Sequence, residues 1–183
     1  MECNLLCSGP RKKSYKQNEL LTIGCNIPWT DVDYTVIFDE VVLKKIIEMP
    51  EIIKDEVKLI ISTIALQELK RTKNLDKLKN KIECIFKYSS LSEKQFLRSS
   101  GHYAAEWAMF KGFKKLNIYG CDNWFGDMKC LDNNMHNKAN PFYIENVNAS
   151  FDEKYQIMRG QYWKKAWEKM IIQNPFVEFN FVP

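Results

Sequence analysis

Short apolar runs recur along this chain, and polar stretches or amphipathic segments separate them. The runs do not alternate strictly between apolar and polar positions, which is typical of strands that a sheet buries on both faces. The pattern therefore predicts a sheet of six or seven strands, from the runs at 3–7, 20–24, 34–38, 57–62, 82–88, 115–120 and 176–182.

Apolar residues at helical spacing fill several of the intervals between these runs. They predict helices at 40–48, 63–73, 102–111 and 153–173. Because strands and helices alternate, we expect an α/β fold with a mostly parallel sheet and helices on both faces. No internal repeat or linker divides the chain, so residues 1–183 should form a single domain.

The segment 123–150 breaks this alternation. It is rich in Asn, Asp and Met and shows little periodicity. A long loop inside a compact domain usually has a function, often as a lid over a site, or else it is disordered. We therefore predict a loop or lid here.

Composition predicts a folded, soluble protein and indicates which classes of ligand it can bind. Apolar residues make up 45% of the chain and charged residues 27%, which are ordinary values for a globular protein. The net charge of +4 is too small to predict nucleic-acid binding, although it favours a phosphate-bearing ligand. No apolar run is long enough to span a membrane and the first residues do not resemble a signal peptide, so we expect a cytoplasmic location.

The six cysteines include no Cys-x-x-Cys pair. Cys3, Cys7, Cys84 and Cys121 lie in or at the end of apolar runs, where a free cysteine behaves as a small hydrophobic residue. We therefore expect reduced thiols in the core rather than disulfides or a zinc site.

Polar and small residues follow the first three strands. Ser8, Gly9 and Pro10 come directly after the first, where glycine lets the backbone approach a phosphate and serine offers a hydroxyl. Asn26 after the second strand can bind a ribose or a base edge, and Asp39 after the third can bind a sugar hydroxyl. The same residues also suit a plain Gly-Pro turn, a turn-forming asparagine and a helix N-cap, respectively.

A second group of candidates surrounds the third predicted helix. Ser100 and Gly101 stand at its start, where they can serve as an N-cap, as a binding site for an anion, or as both. Asp122 follows the sixth strand, so in a parallel sheet it shares an edge with the residues after the first two strands. Its carboxylate can bind a sugar hydroxyl or a metal ion, but no second carboxylate stands at metal spacing, and we predict no metal site.

His136 lies within the predicted lid. A lone histidine in a loop is usually structural or without a role. In a lid above a phosphate leaving group, however, it would act as the general base.

The order of these motifs resembles a known group of proteins. The residues that carry the resemblance are Ser8-Gly9-Pro10, Gly24-Cys25-Asn26, Asp39, Ser100-Gly101-x-Tyr103 and Gly112-Phe-Lys-Lys-Leu-x-Ile-Tyr-Gly-x-Asp122. They resemble the Rossmann-like group that contains small bacterial lipooligosaccharide sialyltransferases, motility accessory factors and an archaeal pterin diphosphokinase, and small phage-encoded proteins are also similar. The resemblance covers residues 3–40 and 99–122 with the closing helix and strand.

The resemblance implies a nucleotide site formed by Ser8, Gly9, Pro10, Asn26, Ser100 and Gly101. Asp39 completes the candidates for nucleotide binding, and Asp122 would lie near the sugar. The implied activity is a sialyltransferase-like transfer of a sugar from a nucleotide donor, of the CMP-sugar type, to a hydroxyl acceptor. Such transfer proceeds by direct displacement without a cofactor or metal, and His136 would deprotonate the acceptor. For a phage-encoded relative the location would be the host cytoplasm.

The sequence also departs from this group at two places beside the motifs. Arg11 follows Pro10 where the group carries a small residue. Asn123, Trp124 and Phe125 stand where the sialyltransferases carry tyrosines that bind the leaving phosphate.

Two other functions therefore stay open. A related protein can keep the fold and bind a nucleotide or a partner protein without catalysis. A diphosphotransferase similar to the pterin enzyme would need Mg²⁺ on two carboxylates such as Asp39 and Asp122. The sequence leaves the oligomeric state open, a homo-oligomer included.

Overall fold

The computed structural model describes residues 1–38, 40–86, 98–127 and 153–183. Their helices and strands, in chain order, are β1 Glu2–Leu6, β2 Thr22–Cys25, β3 Tyr34–Ile37, α1 Glu40–Glu48, β4 Lys58–Ser62, α2 Thr63–Arg71, α3 Leu75–Leu78, β5 Ile82–Phe86, α4 Ser100–Phe110, β6 Lys115–Tyr119, α5 Glu153–Gln173 and β7 Glu178–Phe181. Short 3₁₀ helices span Pro10–Ser14, Pro50–Ile52 and Asp122–Phe125. None of the helices in these ranges combines the length and the apolar character that a membrane crossing needs.

The seven strands form one parallel sheet in the order β5-β4-β3-β2-β1-β6-β7. The chain begins in the interior of the sheet, adds β2 to β5 on one side, and then crosses to add β6 and β7 on the other. Leu5 of β1 accordingly lies opposite Ile23 of β2 and Ile118 of β6. The strand order reverses at β1, as in doubly wound folds. The predicted α/β fold with a parallel sheet is confirmed.

Helices cover both faces of this sheet, as predicted. On one face α4 packs against β1, β2 and β3, and its Trp107 shares a core with Trp167 of α5. On the other face α1 and α2 pack against β3 and β4 through buried residues such as Leu43 and Leu69. The two cores bury β3 and β4 on both sides, which explains why the runs of these two strands do not alternate.

A connection without an α-helix, residues 7–21, covers the sheet opposite α4 near β1 and β6. Tyr15 in this connection is buried, and its ring stands edge-on to Tyr119 with 5.1 Å between the centroids. The Tyr15 hydroxyl lies 3.2 Å from Thr22 Oγ1, and Asn4 Nδ2 donates to the same oxygen at 3.1 Å. These contacts hold the 3₁₀ helix Pro10–Ser14 against the sheet, beside the carboxyl end of β1.

One element differs from the sequence prediction. Residues 74–81 are polar and rich in lysine, which predicts a solvated connection, whereas the structure has the short helix α3 there. Leu78 is buried in the second core with Leu75 packed beside it, because one helical turn brings both leucines to the same side. A helix of four residues is too short for apolar periodicity to reveal it.

Candidate functional site

The carboxyl ends of β1, β2 and β6 and the first turn of α4 meet at one edge of the sheet. Helix α4 lies between β5 and β6 in the chain and packs on β1, β2 and β3. In open parallel sheets this edge, at the strand where the order reverses, is where ligands bind. The predicted site residues that the structure describes all come from these elements.

Gly101 allows the first turn of α4 to lie directly on the end of β1. A Cβ atom at this position would come within 2.7 Å of Cys7 Sγ and 3.4 Å of the Trp167 ring. Any larger residue would lift the helix from the strand. The glycine therefore brings the backbone of the first turn of α4 close to the residues that follow β1.

Asn26 connects the end of β2 to the same turn of α4. Its backbone has a φ of +63°, a conformation that asparagine adopts more readily than most residues. The Asn26 backbone N–H donates to the Val36 carbonyl at 2.9 Å, and its side-chain Oδ1 accepts from Ser100 Oγ at 3.3 Å. Asn26 is thus a turn-forming asparagine, as one of the two alternatives from the sequence has it, and its side chain also contacts the start of α4.

Several hydrogen-bond donors around this turn lack partners in the described part of the chain. They are the Asn26 Nδ2 amide and the backbone N–H groups of Ser100 and Gly101, and the Ser8 hydroxyl in the turn after β1 also has none. First-turn N–H groups have no partner within their own helix, and the helix dipole places partial positive charge there. This set of donors therefore suits an anion such as a phosphate.

His102 connects the start of α4 to α5. The Ser99 backbone N–H donates to His102 Nδ1 at 2.9 Å, so Nε2 carries the proton and donates to the Trp163 carbonyl at 3.1 Å. The imidazole is fully buried and stacks on Trp167 with 4.1 Å between the ring centroids. Burial lowers the pKa of His102 to about 3, so the ring is neutral and joins α4 to α5.

Gly9 and Asp122 are packed tightly against each other on the β6 side of the site. The Gly9 N–H donates to the Gly120 carbonyl at 3.0 Å. A Cβ atom on Gly9 would lie 1.9 Å from Asp122 Oδ2, which is closer than any real contact. The turn after β1 therefore uses its glycine to receive the Asp122 carboxylate.

Asp122 in turn binds Arg11. The Arg11 backbone N–H donates to Oδ1 at 3.3 Å, and Arg11 Nε lies 3.3 Å from the same oxygen. The Asp122 side chain is only 3% exposed, and the Arg11 guanidinium also lies over the Phe125 ring. Burial raises the pKa of Asp122 above its ordinary value, although the Arg11 hydrogen bond and charge lower it.

The structure thus brings the described candidates together in two groups. Asn26, Ser100 and Gly101 meet at the start of α4, and Gly9 meets Asp122, with Pro10 opening the 3₁₀ helix that follows. Ser8 directly precedes Gly9 in the turn after β1. Asp39 and His136 lie outside the described residues, as does the predicted lid from 128 to 150.

Sequence analysis missed the contribution of Lys12. This lysine is only 5% exposed, its Nζ donates to the Ser8 carbonyl at 3.4 Å, and Nζ lies 5.8 Å from the centroid of the Trp29 ring. The basic stretch at 11–16 marks a positive region, but only the packing of Lys12 Cβ against Gly120 shows which lysine turns inward.

In the ranges that the structure describes, no group of three or more His, Cys, Asp or Glu side chains is arranged to hold a metal ion. Comparison with known proteins identifies no relative, because no protein-family model, curated protein or solved structure matches this chain.

Proposed function

We propose that this protein binds a nucleotide sugar at the carboxyl edge of its sheet and transfers the sugar to a hydroxyl acceptor. The observation that carries the proposal is the set of donors that have no partner among the described residues: Asn26 Nδ2 and two backbone N–H groups at the first turn of α4, and the Ser8 hydroxyl in the adjoining turn after β1. A phosphate would accept hydrogen bonds from all of them at the positive end of the helix. The resemblance to the sialyltransferase group supports a nucleotide, of the CMP type, as the bearer of that phosphate.

In the proposed reaction the acceptor oxygen attacks the anomeric carbon as the bond to the phosphate oxygen breaks. Negative charge then accumulates on the departing nucleotide phosphate. Donors fixed by the fold at the start of α4 would stabilise that charge without reorganising. His136 is the proposed base that removes the acceptor proton, while Asp39 and Asp122 are proposed to bind sugar hydroxyls.

A single substitution tests the phosphate site. Asn26→Asp keeps the side-chain size, the acceptor for Ser100 and the tolerance for a positive φ, but it replaces the Nδ2 donor with an anionic oxygen. A hydrogen bond to a charged group is worth about 1.5–3 kcal/mol, so we expect nucleotide affinity to fall about tenfold or more. Calorimetric titration would measure this with the nucleotide chosen by a thermal-shift screen of CMP, UDP, GDP and ADP.

Asn80→Asp is the matched control. Asn80 is exposed and precedes β5, at the opposite edge of the sheet, and the substitution changes the net charge equally. We expect this variant to bind like the wild type. The proposal is wrong if no nucleotide or nucleotide sugar raises the unfolding temperature, or if both aspartate variants bind equally well.

A second candidate is a nucleotide-binding protein without catalysis. The burial of Asp122 and its contacts with Arg11 favour it, because this carboxylate already has partners within the protein. Release of free nucleotide from a nucleotide sugar, measured with and without a hydroxyl acceptor, separates the two candidates. Binding without turnover would support the non-catalytic protein, and Mg²⁺-dependent transfer of diphosphate would instead identify a diphosphotransferase.

A further inference from the structure

Three cysteines lie together beneath the first turn of α4. Cys7 directly follows β1, Cys25 ends β2, and Cys121 follows β6 in the turn after Gly120. Since β2, β1 and β6 are neighbours in the sheet, the three residues stand at the ends of three consecutive strands. All three belong to the core on the α4 side or pack against it.

The three cysteine residues differ in their exposure to solvent. Cys7 is half-buried, whereas Cys25 and Cys121 are buried, at 5% and 3% exposure. Cys7 Sγ also lies within 2.7 Å of where a Cβ on Gly101 would be, so it contacts the positive end of α4. Cys7 is therefore the most exposed of the three residues, and it neighbours two buried thiols.

The pKa values of the three thiols also differ. Hydrogen bonds from the thiols of Cys121 and Cys25 lower the pKa of Cys7 well below its ordinary value. The same contacts together with burial raise the pKa of Cys121 and Cys25. A helix N-terminus also favours a thiolate. Oxidant-sensitive cysteines share these properties, namely thiolate character, access and a second thiol close by.

We propose that Cys7 is a peroxide-reactive thiol and that Cys121 resolves it to a Cys7–Cys121 disulfide. The Cys7 thiolate attacks one oxygen of hydrogen peroxide, the O–O bond breaks, and the departing hydroxide takes up a proton to become water. The sulfenic acid left on Cys7 is then attacked by the Cys121 sulfur, whose proton leaves with the second water. Peroxide is reduced to two waters while the two thiols are oxidised to one disulfide.

Cys121 is a better resolving thiol than Cys25 because of its backbone. Cys25 is a strand residue whose register fixes it opposite Val36 of β3, so its Cα cannot move without breaking the sheet. Cys121 lies outside β6, between Gly120 with a φ of +68° and a 3₁₀ helix. A turn can adjust to the narrow geometry that a disulfide requires.

Peptide mapping tests this inference, and its readout does not depend on nucleotide binding. The folded protein is treated with a small excess of hydrogen peroxide, then denatured in N-ethylmaleimide and digested with trypsin. We expect peptide 1–11, which holds Cys7, to be linked to peptide 116–129, which holds Cys121. Dithiothreitol should separate them. Cys7 should react faster than the half-buried Cys84 by a factor of about 3 or more.

Serine variants assign the sulfurs, because peptide 1–11 also contains Cys3. The link should vanish in Cys7→Ser and in Cys121→Ser, and it should persist in Cys25→Ser, the matched control one strand away. Persistence of the link in Cys7→Ser, its replacement by a link to peptide 17–44, or equal oxidation of Cys84 would overturn the inference. Should Cys7→Ser fail to fold, the wild-type map and Cys121→Ser still decide.

Discussion

Replacing Gly9 with alanine is expected to lower the free energy of unfolding by about 3 kcal/mol or more. The φ of Gly9 is −71°, so the cost is not backbone strain but the space that a methyl group would need. That methyl would lie 1.9 Å from Asp122 Oδ2 and 2.6 Å from the Gly120 carbonyl oxygen. Because one of these atoms is backbone and the other belongs to a buried side chain, neither can move aside cheaply. Thermal unfolding should show a midpoint lower by about 6–12 °C.

Gly126→Ala provides the comparison. A Cβ at Gly126 meets nothing within 4 Å, but its φ of +92° strains any other residue. We expect a loss of about 1–2 kcal/mol from that strain alone. A Gly9 variant that is no less stable than the Gly126 variant would show that the contact between the two turns is looser than the structure describes.

A double variant identifies the atom responsible. Asp122→Ala removes the Oδ2 atom that the Gly9 methyl would meet first, although the Gly120 carbonyl remains close. The cost of Gly9→Ala should therefore be smaller in the Asp122→Ala background, by about 1 kcal/mol or more. Chemical denaturation of the four proteins measures this coupling, and strictly additive losses would contradict it.

The sequence predicts the strands well because most of them are buried on both faces. Residues 59–61, for instance, read as a continuous apolar run because the two cores cover both sides of β4. Amphipathic spacing likewise reveals the longer helices, since a half-buried helix must carry its apolar residues on one side. These are local signals, and local signals are what a single sequence contains.

The strand order is a different matter. Asn4 of β1 lies opposite Asn117 of β6, more than a hundred residues later in the chain. Nothing in the periodicity of either strand specifies that partner, and the contact between Gly9 and Asp122 depends on it. The sequence therefore places Gly9 and Asp122 at strand ends. Only the fold shows that the absence of a side chain on Gly9 makes room for the Asp122 carboxylate.

The surroundings of His102 show the same limit. Its position in the first turn of α4 is readable from the sequence, because Ser99 and Ser100 mark a helix start. Its burial is not, because Trp163 and Trp167 of α5 cover it from sixty residues away. His102 is thus a structural residue of the site, and only the fold reveals this role.

This burial makes stability depend on pH. The pKa of His102 is about 3 in the folded protein and 6.5 in an unfolded chain. Below pH 6.5 the unfolded state binds a proton that the folded state does not, so stability is complete above that pH and decreases as the pH falls toward 3. The expected loss is about 2 kcal/mol between pH 7 and pH 5, and about 4 kcal/mol when the pH approaches 3. Urea unfolding at several pH values between 7 and 5 measures the loss of about 2 kcal/mol in a pH range where most carboxylates stay ionised.

His102→Gln separates this proton from every other titrating group. Glutamine at the third helical position can still accept from the Ser99 N–H, as in a capping box, but it does not ionise. The variant should lose about 1–2 kcal/mol at pH 7, because the hydrogen bond to the Trp163 carbonyl and the stacking on Trp167 are weakened. Between pH 7 and pH 5 its stability should hardly change, so the two proteins should approach each other as the pH falls. Parallel curves would mean that His102 takes up a proton in the folded state as easily as in the unfolded one, and the buried neutral imidazole would then be wrong.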